Sequence, residues 1–165
     1  MKNLRINLHI IYIILSFVFV MQVASARDMP EMRDVNTEDV GSKQDTPLQA
    51  GRKAVVLGDW QAAINHLEKA VVQEPKSADG FNLLAFSFRK QTKPNLTKAF
   101  ENYRIALKLD PKHKGAHEYI GEAYLMDKKL EEAEKHLAIL ESLCGNKTCE
   151  EYQDLAKAIE AYSKK

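Results

Sequence analysis

Little in this sequence belongs to catalysis. Its seven glycines form no Gly-rich phosphate loop and no Gly-x-Ser-x-Gly elbow, so the devices that cradle a nucleotide or expose a nucleophilic serine are missing. There is no His-Glu-x-x-His run, and five histidines and two cysteines show no paired zinc spacing. His113 and His117 are four apart, but Lys112 and Lys114 flank the first of them and like charge opposes a cation there. His66 and His136 take corresponding outer positions and read as surface residues. An excess of one charge is missing too: the net charge is +1. Both signs are mixed along the chain, which leaves no electrostatic footprint for nucleic acid and no basic patch for an anionic membrane. No enzyme, cofactor, metal or nucleic-acid partner is expected.

One apolar run is present, at the start. Lys2 and Arg5 precede a nearly unbroken apolar stretch from Ile10 to Val23, followed by Ala24-Ser25-Ala26. A basic start, a short apolar segment and a small-x-small site are the marks of an export signal. The run is short of the roughly 20 residues a membrane span needs. Cleavage after Ala26 is therefore expected, with an uncleaved anchor as the alternative, and no stable membrane anchor would remain. No cysteine follows the run, so a lipid-anchored form is unsupported. Losing residues 1–26 removes two basic groups and no acidic ones, which takes the net charge from +1 to −1. Residues 27–45 are polar and aperiodic, with Pro30 and Gly41. They read as a flexible leader that cannot bury enough apolar surface to offset chain entropy.

The rest of the chain is organised by recurrence. Gly58-Asp59-Trp60, Ala63, Leu67, Ala70 and Pro75 make one set. Ala85, Phe88, Ala99, Tyr103, Ala106 and Pro111 make a second, and Ile120-Gly121, Tyr124, Ala133, Leu137 and Leu140 a third. Small residues stand where helices must approach closely, large ones fill the gaps, and proline closes a unit because it cannot continue a helix. Asp59 is placed to cap one helix, and Thr46-Pro47-Leu48-Gln49 reads as a capping box with proline at the first helical position. The predicted pairs span 46–76, 77–111 and 112–144. The turn Gln91–Asn95 absorbs an insertion. The spacing resembles the tetratricopeptide repeat, with its period of about 34 residues. That resemblance implies an all-α, right-handed superhelix of about three antiparallel helix pairs, built to hold other proteins.

Residues 145–165 read as a turn and a closing helix. Gly145 suits the left-handed position that ends a helix, and Thr148-Cys149-Glu150-Glu151 reads as a capping box for the next. Cys144 and Cys149 flank this turn. In an oxidising compartment a disulfide is the expectation, with a redox pair or a metal site as alternatives, although Cys-x-x-Cys spacing is absent. The final helix repeats Tyr152, Leu155, Ala156, Ile159 and Tyr162 on one face, with Glu151, Asp154, Lys157 and Glu160 on the other. It suits a cap over the exposed end of a repeat stack. The pairing of such a turn with such a helix resembles small exported bacterial proteins of this family.

In this family the first helix of each pair lines the inside of the superhelix. The resemblance therefore implies a partner-binding groove lined by Arg52 and Val55, then Asp79, Asn82, Phe86, Arg89 and Lys90, then Glu118, Glu122, Leu125 and Met126. Phe86, Leu125 and Met126 are expected to be exposed unless a ligand covers them. The alternative is that Arg89, Lys90, Glu118 and Glu122 form only a solvated face. Members that grip acidic chaperone tails use basic and Asn residues at set positions. Those positions here hold Leu48, Leu83, Gly115 and Tyr119, with only Arg52 basic, so that ligand is not expected. The implied function is an exported, periplasmic or secreted adaptor for proteins or peptide segments. An accessory subunit of an envelope complex is the second reading, and a thiol redox or metal-binding protein using Cys144 and Cys149 the third.

Overall fold

The computed structural model describes residues 45–164. The expected export signal, its cleavage after Ala26, and residues 27–44 of the leader lie outside the described residues. Seven α-helices and no strands make up the described residues: α1 Pro47–Leu57, α2 Trp60–Gln73, α3 Ala78–Lys90, α4 Leu96–Leu109, α5 Lys114–Met126, α6 Leu130–Cys144 and α7 Glu150–Ser163.

Each boundary has a local cause. The Thr46 hydroxyl accepts from Gln49 N at 3.2 Å while Thr46 N donates to Gln49 Oε1 at 3.0 Å. Pro47 occupies the first helical position, where no donor is needed. Gly58, at φ 71°, takes the left-handed turn between α1 and α2. Asp59, Ser77 and Asn95 then accept from backbone N–H groups at the starts of α2, α3 and α4, at 3.0, 3.1 and 3.1 Å. His113 does the same for α5 through Nδ1 at 3.1 Å. Gly145, at φ 68°, ends α6.

The last boundary departs from expectation. Thr148 does not cap α7: its N–H and hydroxyl both donate to Asn146 Oδ1, at 2.9 and 2.8 Å, and Cys149 is the N-cap residue with no side-chain cap bond. Thr148 is drawn into an Asn-centred turn, which displaces the helix start by one residue. The Sγ atoms of Cys144 and Cys149 lie within bonding distance, at 2.01 Å, across this turn.

The helices form three antiparallel pairs with α7 after them. Ala63, Leu67, Ala85, Ala99, Tyr103 and Ala123 are fully enclosed in one continuous core. The recurring small residues serve close approach. A Cβ on Gly51 would sit 2.6 Å from Leu67 side-chain atoms across α1 and α2. A Cβ on Gly121 would meet Leu155 of α7 at the same distance. Leu155 is wholly buried, so α7 is seated on the third pair. Curvature follows from which helices touch. The first helices pack on one another in series, α1 on α3, α3 on α5 and α5 on α7. Among the described residues, the second helices α2, α4 and α6 do not. The inside of the curve is therefore the α1–α3–α5–α7 face.

Candidate functional site

The groove residues expected from sequence all lie on this inner row, but they divide by environment. At the α1–α3 end, exposed Arg52 pairs with half-buried Asp79, whose other oxygen lies 3.2 Å from His113 Nε2. Half-exposed charges that satisfy one another contribute little. Asn82, a turn further along α3, is 4% exposed. Its Oδ1 is a buried acceptor without a partner among the described residues.

Towards α5, burial takes over. Arg89 is only 6% exposed. Its Nε donates to the Tyr103 hydroxyl at 3.3 Å and its terminal nitrogen lies 2.6 Å from Glu122 Oε2. Burial disfavours the guanidinium charge, but Tyr103 and Glu122 more than offset it and hold Arg89 above its usual value. The same enclosure pushes the Tyr103 phenol up. Phe86 is half-buried between Trp60 at 5.8 Å and Tyr119 at 4.7 Å, ring centre to ring centre. The Arg89 guanidinium lies 5.2 Å from the Phe86 ring centre and Lys90 Nζ 5.8 Å, within cation–π reach. Phe86 is thus a rung of an aromatic ladder, although part of it stays open.

Three expectations are corrected here. Leu125 is not exposed: α7 packs over α5 and leaves it 7% accessible, while Met126 beside it stays 44% accessible. Arg89 and Glu118 are not a solvated face, since both are buried; of that set only Lys90 is freely exposed. The acidic face of α7 does not all point outward. Glu151 reaches to within 3.9 Å of Lys114 on α5. Asp154 also faces α5, close enough to act on Glu118. Burial first, then the carboxylates of Glu122, Asp154 and Glu151, push Glu118 up to about 8.

A pocket of about 500 Å³ opens beside this cluster, where Leu125 and Met126 of α5 meet Ala158 and Tyr162 of α7, together with Arg89 and Glu122. Reading only the first helices of the pairs omitted the α7 wall. The signal was present: Glu151, Asp154, Ala158 and Tyr162 recur at helical spacing on one face.

The histidines do not converge as one cluster. His113 is held by Asp79 and the α5 N-terminus, while His117 Nε2 donates to the Pro111 carbonyl at 3.0 Å. His117 Nδ1 lies 2.8 Å from His136 Nδ1. His136 is therefore half-buried against His117 rather than open to solvent. Burial and then the neighbouring His117 lower it to about 4, so it is neutral at neutral pH. Glu151 brings a carboxylate oxygen within 4.8 Å of both cysteine sulfurs, but those sulfurs are within bonding distance of each other.

A sequence model described as the tetratricopeptide repeat matches residues 93–143. No curated protein matches the chain. Among solved structures, the chain is similar to the TPR2B domain of yeast Sti1 in its complex with pHsp70, with TM-score 0.64, 16% identity, and 72% of this chain and 94% of that one covered. The first TPR of Spaghetti (RPAP3) bound to the HSP90 peptide SRMEEVD aligns at TM-score 0.61 and 23% identity, over 71% and 93% of the two chains. The Yersinia enterocolitica type III secretion translocator chaperone SycD aligns at 0.63 and 18%, over 71% and 81%. Residues 93–143 thus match the tetratricopeptide repeat, and the described helices share the fold of tetratricopeptide repeat domains of known structure.

Proposed function

We propose that the protein is an exported adaptor that holds a peptide segment or partner protein in its concave groove and performs no chemistry on it. The observation that carries this reading is the inner face itself. Half-buried Phe86, exposed Met126 and the α5–α7 pocket lie beside a fixed pair of buried Arg89 and half-buried Glu122. A few large anchors in a concave site supply most of an interface's energy, and methionine adapts to varied contact shapes. Similar folds carry an Hsp70 complex and an Hsp90 peptide, which supports binding as the use of the face. Chaperone tails are not the expected ligand here, because Leu48, Leu83, Gly115 and Tyr119 stand where a basic clamp would need charge.

Export is supported by the basic start, the apolar run and Ala24-Ser25-Ala26, and by a cysteine pair poised to close the α6–α7 turn. The expected compartment is the periplasm, with the pair oxidised as a staple. Mass spectrometry of the native protein should find a chain beginning at Arg27; an intact Met1 in a membrane pellet would contradict export with cleavage.

A second reading has its own support. Val56, Leu57 and Val72, at the α1–α2 end, are 86%, 81% and 80% accessible, which suits an accessory subunit docked by its end. Recovery of partners from the envelope fraction separates the two. Met126→Ala with Tyr162→Ala should lose them, while Val56→Ser with Leu57→Ser should not.

A further inference from the structure

Among the described residues, the α5–α7 half of the groove carries an uncorrected charge imbalance. Four carboxylates face one another there: Glu118 and Glu122 on α5, Glu151 and Asp154 on α7. Among the described residues three cations pair with this cluster, and each already has its carboxylate. Arg89 of α3 holds Glu122 at 2.6 Å, Lys114 of α5 lies 3.9 Å from Glu151, and Lys157 of α7 holds Asp154 at 3.0 Å. Glu118 is left over. It is 8% exposed, and no hydrogen bond or ion pair reaches it among the described residues. A buried charge without a partner is costly, so in the free protein the group keeps its proton.

The apolar pocket lies further along the same two helices. Eight residues separate Glu118 from Met126 on α5, about 12 Å at 1.5 Å per residue. An extended chain covers that distance in roughly three or four residues.

Resting on the groove reading above, we infer that the natural occupant is a peptide segment carrying a lysine or arginine whose cation pairs with Glu118, with a large apolar side chain three or four positions away in the Met126–Tyr162 pocket. Charge complementarity commits the site to a basic segment, since four carboxylates there face three cations and only Glu118 lacks one. Glu118 must release its proton for the pair to form, so binding is linked to pH. Below the value of about 8 at which Glu118 ionises, affinity rises about tenfold per pH unit.

Selection of a phage-displayed random decapeptide library on the purified chain tests this. The selection is repeated on Glu118→Gln, which matches the protonated side chain in shape and keeps the fold, and on Met126→Ala with Tyr162→Ala. The expected result is enrichment of peptides with Lys or Arg three or four positions from a large apolar residue. That basic preference should vanish on Glu118→Gln. Affinity of an enriched peptide should rise about tenfold from pH 6 to pH 7 and, at pH 7, fall by more than tenfold on Glu118→Gln. Peptides that need Met126 and Tyr162 but show no basic preference, or the same preference on Glu118→Gln, would overturn this assignment and leave the groove reading standing. Enrichment indifferent to Met126 and Tyr162 would overturn both. So would no enrichment from a chain that sediments as a dimer, with substitution of the two pocket residues releasing monomers, because the face would then belong to a second copy.

Discussion

The two ends of the groove solve the same problem in opposite ways. Between α1 and α3, Arg52, Asp79 and His113 meet near solvent and satisfy one another, with Arg52 and Asp79 side chains each 48% exposed. Between α3, α5 and α7, Arg89 is enclosed and Glu118 is enclosed without a partner. The first arrangement is a surface with little at stake, since exposed pairs are worth ~0–1 kcal/mol. The second concentrates desolvation, a coupled ion pair and an apolar pocket within a few turns of helix. Equivalent repeat positions thus do different work: Asn82 of the second pair and Glu118 of the third occupy the same place in their inner helices. The helix packed over Glu118 turns that place into a charged seam.

Removing α7 should break the contrast most. Truncation before Thr148 exposes Leu125 and Gly121 and deletes fully buried Leu155. The loss should reach several kcal/mol at ~25 cal/mol per Å² of apolar surface. A melting curve unchanged by the truncation would show that α7 is a tail. Within the intact chain, Arg89→Ala leaves Glu122 and the Tyr103 hydroxyl without their cation. It should cost ~3 kcal/mol or more in urea unfolding, whereas Arg52→Ala should cost ~0.5 kcal/mol or less. Equal costs would erase the distinction between the two ends.

The pH dependence sharpens it further. Glu118 is raised to about 8 in the fold from its usual 4.5. The stability it contributes is therefore complete below about pH 4.5 and is lost as pH rises through about 8. Glu118→Gln should remove that loss, leaving the variant more stable than the parent above pH 8 and matched to it below pH 4.5. His136 has the opposite sign: lowered from 6.5 to about 4, it contributes stability above about pH 6.5 that is lost as pH falls through 4. His136→Gln should flatten that acid limb, a smaller effect than that of Glu118→Gln. Melting temperatures of the two variants across pH 4 to 9 check both signs.

The helix pairs were legible because their signals are local. Thr46 with Pro47, Asp59, Pro75, Pro111 and Gly145 each act on neighbours within a turn, and the recurring alanines mark close approach wherever they recur. The row of inner-helix positions was legible by the same repeat logic. What sequence did not show depends on one helix lying over another. Leu125 is buried and Glu118 is enclosed only because α7 packs on α5, and Glu151 with Asp154 turn inward for the same reason. His136 meets His117 through the pairing of α6 with α5. Even Thr148 lost its cap to a competing local turn around Asn146, two patterns of similar strength that sequence alone does not rank.

On the proposed reading, the α5–α7 half of the groove is the working surface. Site-specific photocrosslinking in the native host distinguishes the two faces, with a photoreactive residue at Met126 in one case and at Val72 in the other. Crosslinks to a partner are expected from Met126, lost on Tyr162→Ala, and none from Val72. Crosslinks from Val72 with none from Met126 would contradict it and move the working surface to the outer helices.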